Sequence, residues 1–473
     1  FSQGPQQTLV AVLHSHLSAG ERHDEWHKIR QGRARIVIGA RSAVFAPVER
    51  LGLVIVDEEH EHSYKQEEAP RYNARDLAVV RGQQEGAAVV LGSATPSMES
   101  YHNVQRKKYA LLSLTERVDQ KNMPLVRVID MRSAARKEKG ISIFSPQLRE
   151  AILQRLEKNE QVMLFLNRRG WSSSLQCPDC GYVAECPNCS VSLTYHRAAQ
   201  QLMCHSCGHI EAAPTKCPEQ SCGNAAIRFA GLGTEKVEAA LAKGFPMAKV
   251  KRMDSDTLKR KEDYRRILGD FRTGKIDILL GTQMIAKGLH FPNVTLVGII
   301  NADLSLHIPD FRAGERTFQL LTQVAGRAGR GDVEGEVYVQ SFTPFHPSIQ
   351  YARRHDFIGF YEQEIEFRQE LRYPPVSRVA LLTLRGRSED RVKFFADHLR
   401  KEMDALAGEL GDTVVAGPAP APLLRAENFY RYQVMMRTPN MSALSRKLSA
   451  RQQALQIPDD IRLIIDIDPM TLS

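Results

Sequence analysis

The sequence predicts an α/β chain with two parallel-sheet units, a cysteine-rich insertion in the second unit, and a small α+β domain at the end. Short apolar runs alternate with stretches of helical length over most of the 473 residues. All 8 cysteines fall between positions 177 and 222, among the strands and helices of the second unit. The last part of the chain, which ends in "IRLIIDIDP", has both kinds of element without the regular alternation.

The first unit, assigned to residues 1–115, contains the predicted strands "TLVAVLHS", "ARIVIGARSA", "LGLVIVDEE" and "AAVVLGSATPS". A helix is predicted at "ARDLAVVRGQQ". Strands alternating with helices favour a parallel sheet that is covered on both faces. In such sheets the chemistry lies at the carboxyl ends of the strands, and "DEEH" and "GSATPS" both begin there.

The second unit is assigned to residues 146–345, after a charged segment at 116–145 that is predicted to be a linker. Its predicted strands are "VMLFLN", "KVKRMD", "IDILLGTQ", "VTLVGIINAD" and "GEVYVQSF". The cysteine-rich segment, 175–228, interrupts this unit and is therefore predicted to be an insertion. Residues 346–473 are predicted to form a helical connection followed by the α+β domain.

The composition is that of an ordinary globular protein, with 42% apolar and 25% charged residues. No apolar run approaches the ~18 residues that span a bilayer, so no membrane partner is expected. The net charge of +9 favours a polyanionic partner such as nucleic acid. The alternative is a basic protein that binds no polyanion.

The "DEEH" segment places Asp57 and Glu58 directly after an apolar strand. Neighbouring carboxylates repel each other unless a cation lies between them. In nucleotide hydrolases one such carboxylate holds Mg²⁺ and the next orients the attacking water. The alternative is a solvated acidic loop that happens to follow a strand.

The segment "LLTQVAGRAGR" predicts a phosphate-binding helix. Gln323, Arg327 and Arg330 fall at i, i+4 and i+7, and Gly326 and Gly329 leave the neighbouring surface bare. Two guanidiniums beside a bare surface suit a polyphosphate. A merely solvated basic face is the alternative, but each glycine would cost it nearly 1 kcal/mol.

The cysteines form three C-x₂-C knuckles and one C-x₄-C pair, which is zinc-ligand spacing. Eight thiolates make two closed, structural Cys₄ sites, so we expect two zinc ions and no disulfides. Consecutive pairing would join Cys177, Cys180, Cys186 and Cys189. Nested pairing would join Cys177, Cys180, Cys217 and Cys222 around an inner site of Cys186, Cys189, Cys204 and Cys207. We favour nesting because the five residues between the first two knuckles are short for one ribbon. The nearby His196, His205 and His209 are expected at the surface.

Several motifs together resemble those of a known family. "DEEH", "GSATPS", "ILLGTQMIAKGLHFPNVTLV" and "TQVAGRAGR", in this order, resemble the motor motifs of superfamily 2 helicases. The wording of "VIGARSAVFAP", "EHSYKQEEAPRYNARDLA", "LFLNRRGW", "GLGTEKVE" and the final "DIDP" is similar to the PriA family of primosomal replication-restart helicases. The resemblance covers essentially the whole chain. It implies two RecA-like helicase lobes, the first of them incomplete, and it also supports the nested zinc pairing.

The resemblance implies roles for individual residues. Asp57 would bind Mg²⁺ and Glu58 would activate water, while Ser93 and Thr95 would couple the lobes. The implied contacts to the nucleotide are Gly288, Gln323, Arg327 and Arg330. The implied contacts to DNA are Arg41, Ser42, Tyr64, Lys65, Tyr72, Arg75, Thr282 and Gln283, of which those between 63 and 75 match the family's aromatic-rich loop.

The segment "NFYRYQ" near the end contains Tyr430 and Arg431. It is either an edge hairpin with snorkelling side chains or a basic-aromatic surface. The resemblance favours the surface, which would bind branched DNA or the acidic C-terminal tail of single-strand-binding protein.

The family's activity implies an ATP-dependent 3′–5′ DNA helicase that remodels stalled replication forks and starts primosome assembly. Its cofactors would be Mg²⁺ with ATP and two structural Zn²⁺. Its partners would be forked and single-stranded DNA, single-strand-binding protein, and primosome and helicase-loading proteins. We expect it in the bacterial cytoplasm, associated with the nucleoid.

One part of the helicase pattern is absent from the sequence. No G-x-x-x-x-G-K-[ST] phosphate loop precedes "DEEH". We therefore expect the chain to correspond to the carboxyl-terminal two thirds of such a protein and to hydrolyse scarcely any ATP alone. A non-catalytic zinc-ribbon scaffold that binds nucleic acid is the alternative function.

Overall fold

The computed structural model describes residues 9–114, 123–137, 142–166, 174–225, 227–229, 233–254, 257, 261–285, 291–328 and 335–472. The chain divides into two compact units. Unit 1 comprises Phe1–Tyr109 and Asp466–Met470, and unit 2 comprises Ala110–Ile465 and Thr471–Ser473. No helix among the described residues is both long enough and apolar enough to cross a membrane.

Unit 1 contains two separate pairs of parallel strands, β1 with β2 and β3 with β4. Its elements, in chain order, are β1 Leu9–Leu13, α1 Ala19–Arg30, β2 Ala34–Gly39, β3 Leu53–Asp57, α2 Ala74–Glu85, β4 Ala88–Gly92 and α3 Met98–Gln105. Short 3₁₀ helices at Arg41–Phe45 and His62–Tyr64 lie between them.

The strands of unit 1 are covered less completely than the sequence predicts. In β1, Ala11 and Leu13 are buried and pack with Ile29 of α1. Val10 and Val12 point to the opposite face and are exposed. In the described part of unit 1, helix α1 therefore covers one face of the β1–β2 pair, and the face that carries Val10 and Val12 is exposed.

Local signals in the sequence fix where the helices of unit 1 begin and end. Helix α2 begins after Asn73, whose side chain accepts from the Arg75 N–H, and it ends at Gly86, which has φ +70°. Helix α3 begins after Ser97, whose hydroxyl caps the Ser100 N–H. The cap of α3 is the last residue of "GSATPS", so this motif closes directly onto a helix.

Unit 2 contains the larger sheet, the cysteine-rich module and the C-terminal domain. Its first elements are β5 Leu125–Asp130, α4 Met131–Lys137, α5 Pro146–Glu157 and β6 Gln161–Phe165. The cysteine-rich module contributes β7 Leu175–Gln176, β8 Thr194–His196, β9 Gln201–Met203, β10 Ile210–Ala212 and β11 Arg228–Phe229. The larger sheet then continues with α6 Thr234–Gly244, β12 Val250–Met253, α7 Lys261–Arg272, β13 Ile278–Gly281, β14 Val294–Ile299, α8 Asp303–Leu306, α9 Ala313–Ala325 and β15 Glu336–Ser341. The remaining elements are α10 Pro347–Arg354, α11 Phe357–Glu370, β16 Arg378–Gly386, α12 Glu389–Leu410, β17 Val414–Ala426, β18 Phe429–Thr438, α13 Met441–Ala454 and β19 Ile461–Ile467.

The larger sheet has six strands in the order β12-β13-β6-β14-β15-β5, and every pair is parallel. Its central strands β13, β6 and β14 are buried at every position. Burial on both faces explains their continuous apolar sequences, because a strand covered from both sides has no solvent-facing position. Gly298 in β14 is needed for this packing, since a Cβ there would lie 2.7 Å from Leu164.

Strand β5 departs from the prediction of a linker at 116–145. It pairs with β15 along its whole length, from Leu125 opposite Glu336 to Asp130 opposite Ser341. Val126 and Ile129, which point to opposite faces of β5, are buried, whereas Leu125 and Arg127 are exposed, so the strand is only partly covered, as expected at the edge of a sheet. The segment predicted as a linker therefore contributes a strand to the larger sheet.

The C-terminal domain contains a four-stranded sheet in the order β17-β18-β16-β19, with β17, β18 and β16 antiparallel. Helix α12 packs against β16, β17 and β18. The other face of the sheet shares one apolar cluster with the cysteine-rich module. The predicted α/β class, with its inserted module and α+β C-terminal domain, is confirmed.

Candidate nucleotide site and metal centres

The turn after β3 separates the carboxylates that the sequence crowds together. Asp57 ends the strand directly opposite Gly92 of β4, so both motifs start at the same edge. Glu58 has φ +47°, a left-handed conformation that is uncommon outside glycine. Asp57 is exposed and the Glu58 side chain is 44% exposed, whereas Glu59 and His60 are buried. The Asp57 carboxylate thus faces solvent, and the Glu59 carboxylate points inward. The Glu58 side chain lies between these extremes, with its Oε2 atom buried 3.7 Å from the His60 Nδ1 atom.

Glu59 links "DEEH" to "GSATPS" inside unit 1. Its carboxylate accepts from the Ser97 N–H at 2.6 Å and from the Ser100 hydroxyl at 2.8 Å. It also pairs with Arg75 at 3.3 Å. Burial disfavours the charge of Arg75, but Asp76 and Glu59 more than offset it, so the pKa of Arg75 is raised. A buried carboxylate with this many donors serves to hold the fold.

His60 makes a second link between the same two motifs. Its Nδ1 lies 2.7 Å from the Ser93 hydroxyl, which in turn accepts from the Thr95 N–H at 3.0 Å. The Thr95 hydroxyl is buried and has no hydrogen-bond partner among the described residues. The segment from Ser93 to Thr95 of "GSATPS" is therefore connected by hydrogen bonds to His60 of "DEEH".

The aromatic-rich loop is held by residues predicted to contact DNA. Arg41 donates to the Ser63 and Lys65 carbonyls at 3.1 and 2.5 Å. The Tyr64 hydroxyl donates to the Asp57 carbonyl at 2.7 Å, so the loop contacts the candidate site directly. The Tyr72 ring packs edge-on against Phe45.

The predicted DNA contacts differ in accessibility. Ser42 is exposed, and Arg41, Tyr64 and Tyr72 are half-buried. Lys65 is buried and pairs with Asp466 at 2.8 Å, and Arg75 is buried against Glu59. In this conformation Lys65 and Arg75 support the loop from inside.

Among the described candidate residues of unit 2, Thr282 lies at the carboxyl edge of the larger sheet. Thr282 directly follows β13. Gln283 begins a short 3₁₀ helix, and its side chain is not among those the structure describes. Gln323 is in the last turn of α9. Gly288 and Arg330 lie outside the described residues.

Helix α9 is shorter than the sequence analysis predicts. It ends at Ala325, with Gly326 as its C-cap, so Arg327 lies beyond the helix. Because glycine disfavours the helical interior by about 1 kcal/mol, the glycine that was predicted to clear the helix surface ends the helix instead. Gln323 and Arg327 are both half-buried. They do not lie on one face of a helix, because Arg327 is outside α9.

Asp254, which directly follows β12, is a buried carboxylate that no sequence motif indicates. It is fully buried and accepts from the Thr234 hydroxyl at 2.8 Å and from the Thr257 N–H at 3.0 Å. Burial alone would raise the pKa of Asp254, but these hydrogen bonds lower it. In the sequence, its position after a predicted strand is the one indication of a role. Its hydrogen-bond partner Thr234 lies twenty positions earlier, so the sequence does not show the contact.

Arg368 holds α9 in place from α11. Its side chain is fully buried and donates to Glu315 of α9 at 2.8 Å, to Glu364 at 2.9 Å and to the Pro374 carbonyl at 3.0 Å. The helix that leads to Gln323 is thus tied to α11 by charge as well as by apolar packing.

Replacing Arg368 by Met is expected to lower the free energy of unfolding by about 3–5 kcal/mol. The substitution leaves Glu315 and Glu364 buried without their cation. Denaturant unfolding of unit 2 measures the loss. Arg266→Met, which breaks the exposed pair with Asp263, is the matched control and should change little.

Restoring charge balance distinguishes this cause from a packing defect. The double variant Arg368→Met, Glu315→Gln should recover part of the lost stability, because one of the two uncompensated carboxylates is then neutral. Unchanged stability in Arg368→Met, or no recovery in the double variant, would contradict the role given to this ion pair.

The eight cysteines gather into two groups of four, and the grouping is the nested one. The outer group is Cys177, Cys180, Cys217 and Cys222. The inner group is Cys186, Cys189, Cys204 and Cys207. The closest sulfur pairs between knuckles are 3.5 to 3.7 Å apart. Four sulfurs placed tetrahedrally at 2.3 Å from one zinc are about 3.8 Å apart. Both groups therefore fit structural zinc sites.

Contacts among the inner sulfur atoms shift the pKa values of these thiols in opposite directions. Hydrogen bonds from Cys189 and Cys204 lower the pKa of Cys186 to about 7. Bonds to the other sulfurs raise the pKa of Cys189 well above its ordinary value and lower that of Cys207. Four adjacent thiols cannot all be thiolates without a cation between them, and zinc supplies that cation.

The histidines of the module lie outside both sulfur groups. His205 is buried, contrary to the surface position expected for it, and its Nδ1 lies 2.8 Å from the Pro420 carbonyl. His196 and His205 are joined at 3.2 Å through their Nε2 atoms. These contacts connect the module to the C-terminal sheet.

The predicted basic-aromatic surface lies on the hairpin of β17 and β18. Tyr430 and Arg431 are both half-buried in β18. Arg431 donates to the Leu423 carbonyl at 2.9 Å, and the Arg425 guanidinium lies 5.2 Å from the Tyr430 ring centre.

Four family models match successive parts of the chain. They are the DEAD/DEAH box helicase at 5–104, the PriA DNA helicase Cys-rich region domain at 186–211, the helicase conserved C-terminal domain at 223–332, and the primosomal protein N C-terminal domain at 369–470. The helicase models fall on the first strand pairs and the larger sheet, as the predicted two lobes require. The cysteine-rich model covers the inner group of cysteines.

Curated relatives align with nearly all of the chain. The replication restart protein PriA of Bacillus subtilis is 48% identical over 97% of this chain and 57% of its own length. The Synechocystis protein is 43% identical over 98% of this chain and 56% of its own length. The Treponema pallidum protein is 41% identical over 98% of this chain and 69% of its own length. This chain thus spans somewhat more than half the length of the first two relatives. The motifs, the two cysteine groups and these identities agree, and the chain belongs to the PriA family of replication restart proteins.

Proposed function

We propose that this chain forms the motor and zinc-ribbon part of an ATP-dependent DNA helicase that restarts replication. The observation that carries the proposal is the adjacent pair Asp57 and Glu58 at the carboxyl end of β3. The next two residues, Glu59 and His60, connect this turn to "GSATPS". Parallel-sheet proteins place nucleotide chemistry at this edge. Membership of the PriA family directs the proposal toward DNA.

The carboxylate pair has the donor set that a magnesium nucleotide needs. Oxygen ligands suit Mg²⁺, and Asp57 would hold the ion while Glu58 orients the attacking water. The ion would neutralise charge that develops on the phosphates. Gln323, Arg327 and Arg330 would contact the phosphates, Gly288 would lie on the nucleotide side, and Ser93 and Thr95 would couple hydrolysis to movement of the lobes.

The proposed substrates are forked and single-stranded DNA, with translocation from 3′ to 5′. Arg41, Ser42, Thr282 and Gln283 would follow the strand. Tyr64 and Tyr72 of the aromatic-rich loop would also contact the strand. Lys65 and Arg75 would contact it after a rearrangement that exposes their side chains. The proposed partners are the tail of single-strand-binding protein and the primosome and helicase-loading proteins, in the bacterial cytoplasm near the nucleoid. The proposed domains are residues 1–115, 146–345 with the module at 175–228, and 346–473.

A zinc-ribbon scaffold without catalysis is the second candidate. The observation in its favour is that the 473-residue sequence contains no phosphate-binding loop of the G-x-x-x-x-G-K-[ST] type. Closed Cys₄ sites also leave no open position for catalysis.

ATP hydrolysis with and without forked DNA separates the two candidates. We expect fork-stimulated hydrolysis from a PriA-family protein that includes a phosphate loop, and scarcely any from this chain alone. Absence of hydrolysis in both proteins would favour the scaffold. Strong hydrolysis by this chain alone would show that the nucleotide site lies elsewhere.

A further inference from the structure

Helix α1 of unit 1 carries two histidines one turn apart. His23 and His27 are separated by four positions, the spacing that places side chains on the same face of a helix. Their Nε2 atoms are 3.0 Å apart, and their ring centres are 4.2 Å apart. The His23 side chain is 70% exposed, and His27 is half-buried. Two imidazole nitrogens therefore converge at the surface of unit 1.

The distance between the two nitrogens fits two ligands of one transition-metal ion. Imidazole nitrogens bind such ions at about 2.1 Å. Two ligands at that distance are about 3.0 Å apart when they subtend about 90°, as in square-planar or octahedral coordination, and about 3.4 Å apart in a tetrahedron. The observed 3.0 Å matches the square-planar or octahedral geometry. It also suits a hydrogen bond between the two rings, in which a proton occupies the place that the ion would take.

A carboxylate lies beside the other ring nitrogen of His23. The Asp24 Oδ1 atom is 3.7 Å from the His23 Nδ1 atom. Histidines that bind metals commonly turn their second nitrogen toward a carboxylate, which fixes the tautomer and raises the basicity of the ligand. In the described part of the chain no lysine or arginine forms an ion pair with Asp24. Its charge is therefore available to balance part of the charge of a divalent cation.

The contacts that hold α1 on its sheet lie on the opposite face of the helix. Ile29 is the buried residue of α1 and packs on the β1–β2 pair. The Glu25 carboxylate accepts from the Val12 N–H of β1 at 3.0 Å. Two positions along a helix correspond to about 200° around its axis, so His23 and His27 point away from Glu25 and Ile29. An ion on the histidine face would bridge one turn of α1 without disturbing its packing.

We infer that His23 and His27 form a binding site for one divalent transition-metal ion of the nickel or copper type. Imidazole ligands and a ligand angle of about 90° suit these ions, whereas Mg²⁺ and Ca²⁺ take oxygen ligands. On binding, the proton between the two Nε2 atoms passes to solvent, and water completes the coordination. The bound ion would stiffen α1. This site is separate from the two cysteine groups, and the proposed helicase function does not depend on it.

The test uses the untagged, zinc-loaded chain and nickel chloride. Nickel bound and zinc retained are measured together after equilibrium dialysis. The pair variant is His23→Gln, His27→Gln. The register variant is His27→Lys, Lys28→His, which keeps the composition but moves the second histidine to i+5, off the shared face. The control is His16→Gln, His398→Gln, which removes two exposed histidines from elsewhere in the chain.

We expect the unmodified chain and the control to bind one nickel ion each and to keep their zinc. The pair and register variants should bind nickel at least about tenfold more weakly, since even a residue behind a metal ligand contributes that much. Asp24→Asn should weaken binding by about tenfold. With nickel at 100 times its Kd, amide exchange in α1 of the unmodified chain should slow by up to about a hundredfold, because opening must first release the ion. Equal melting temperatures without nickel exclude misfolding as the cause.

Each other outcome overturns the inference. Unchanged nickel binding by the pair variant would place the ion elsewhere in the chain. Unchanged binding by the register variant would make histidine content, not spacing, the cause. Loss of zinc during the titration would assign the nickel to the cysteine groups. Absence of nickel binding by the unmodified chain would leave the 3.0 Å contact as a hydrogen bond between two imidazoles.

Discussion

Loss of zinc from the inner cysteine group is expected to destabilise the C-terminal domain as well as the module itself. Structural zinc contributes about 10–16 kcal/mol to the folding of small domains. The inner cysteines Cys186, Cys189 and Cys204 lie in one apolar cluster with Tyr373, Val379 and Met435 of the C-terminal domain. Unfolding of the inner cysteine group would therefore expose apolar surface on both the cysteine-rich module and the C-terminal domain.

The contacts around the inner group are specific. The Tyr373 hydroxyl donates to the Cys189 carbonyl at 3.4 Å, and the Tyr373 ring stacks on Phe311 at 4.4 Å. Gly208, with φ +83°, lies so close to the Pro418 carbonyl that a Cβ would be 2.9 Å away. The knuckle Cys204–Cys207 and the strand β17 are thus packed backbone against backbone. A knuckle that unfolds when zinc is lost would give up this close packing.

The outer group supplies the matched control. Its neighbours are in α4, from which Arg132 donates to the Cys180 carbonyl at 3.0 Å. Cys204→Ala and Cys222→Ala should each remove one zinc ion. Only Cys204→Ala should increase amide hydrogen exchange in β16 and β18. Equal exchange in the two variants, or no change in either, would contradict the connection between the inner site and the C-terminal sheet.

The sequence predicts those features that depend on local pattern. The continuous apolar strands β6, β13 and β14 indicate a buried parallel sheet, because only burial on both faces permits them. The cysteine spacing indicates two zinc sites, since ligand number and knuckle length are properties of sequence. The pair Asp57 and Glu58 is recognisable because a strand end is visible as the last residue of an apolar run.

Features that depend on three-dimensional register escape sequence analysis. The three carboxylates of "DEEH" look alike in the sequence, and the left-handed turn at Glu58 decides that Glu59 points inward. Arg368 looks like one more charge on α11 until Glu315 is seen to lie against it. Arg385 and Arg431 are 46 positions apart, and only the pairing of β16 with β18 brings them together. Helix α9 ends early because two glycines within four residues weaken it, a local effect that the expected phosphate-binding role obscured.

Replacing Glu58 by Gln is expected to lower ATP hydrolysis about 10²- to 10⁴-fold, the usual contribution of a positioned general base. The measurement needs a PriA-family protein that carries this chain together with a phosphate loop. Gln keeps the size of the side chain but cannot accept a proton from water. DNA binding should be unchanged, and folding should change little, because the Glu58 side chain is 44% exposed and its buried Oε2 atom has no hydrogen-bond partner among the described residues. Glu49→Gln, an exposed carboxylate before β3, should leave hydrolysis unaffected.

The neighbouring variant Glu59→Gln shows why the two carboxylates must be tested separately. Its side chain is buried with Arg75, Ser97 and Ser100, so its loss should lower both stability and hydrolysis. Glu58→Gln should lower the rate constant of hydrolysis alone. If Glu58→Gln hydrolysed ATP at the normal rate, another group would have to activate the water, and the turn after β3 would be a structural link between the two motifs. If both variants lost stability to the same extent, the distinction between the partly exposed Glu58 and the buried, hydrogen-bonded Glu59 would be wrong.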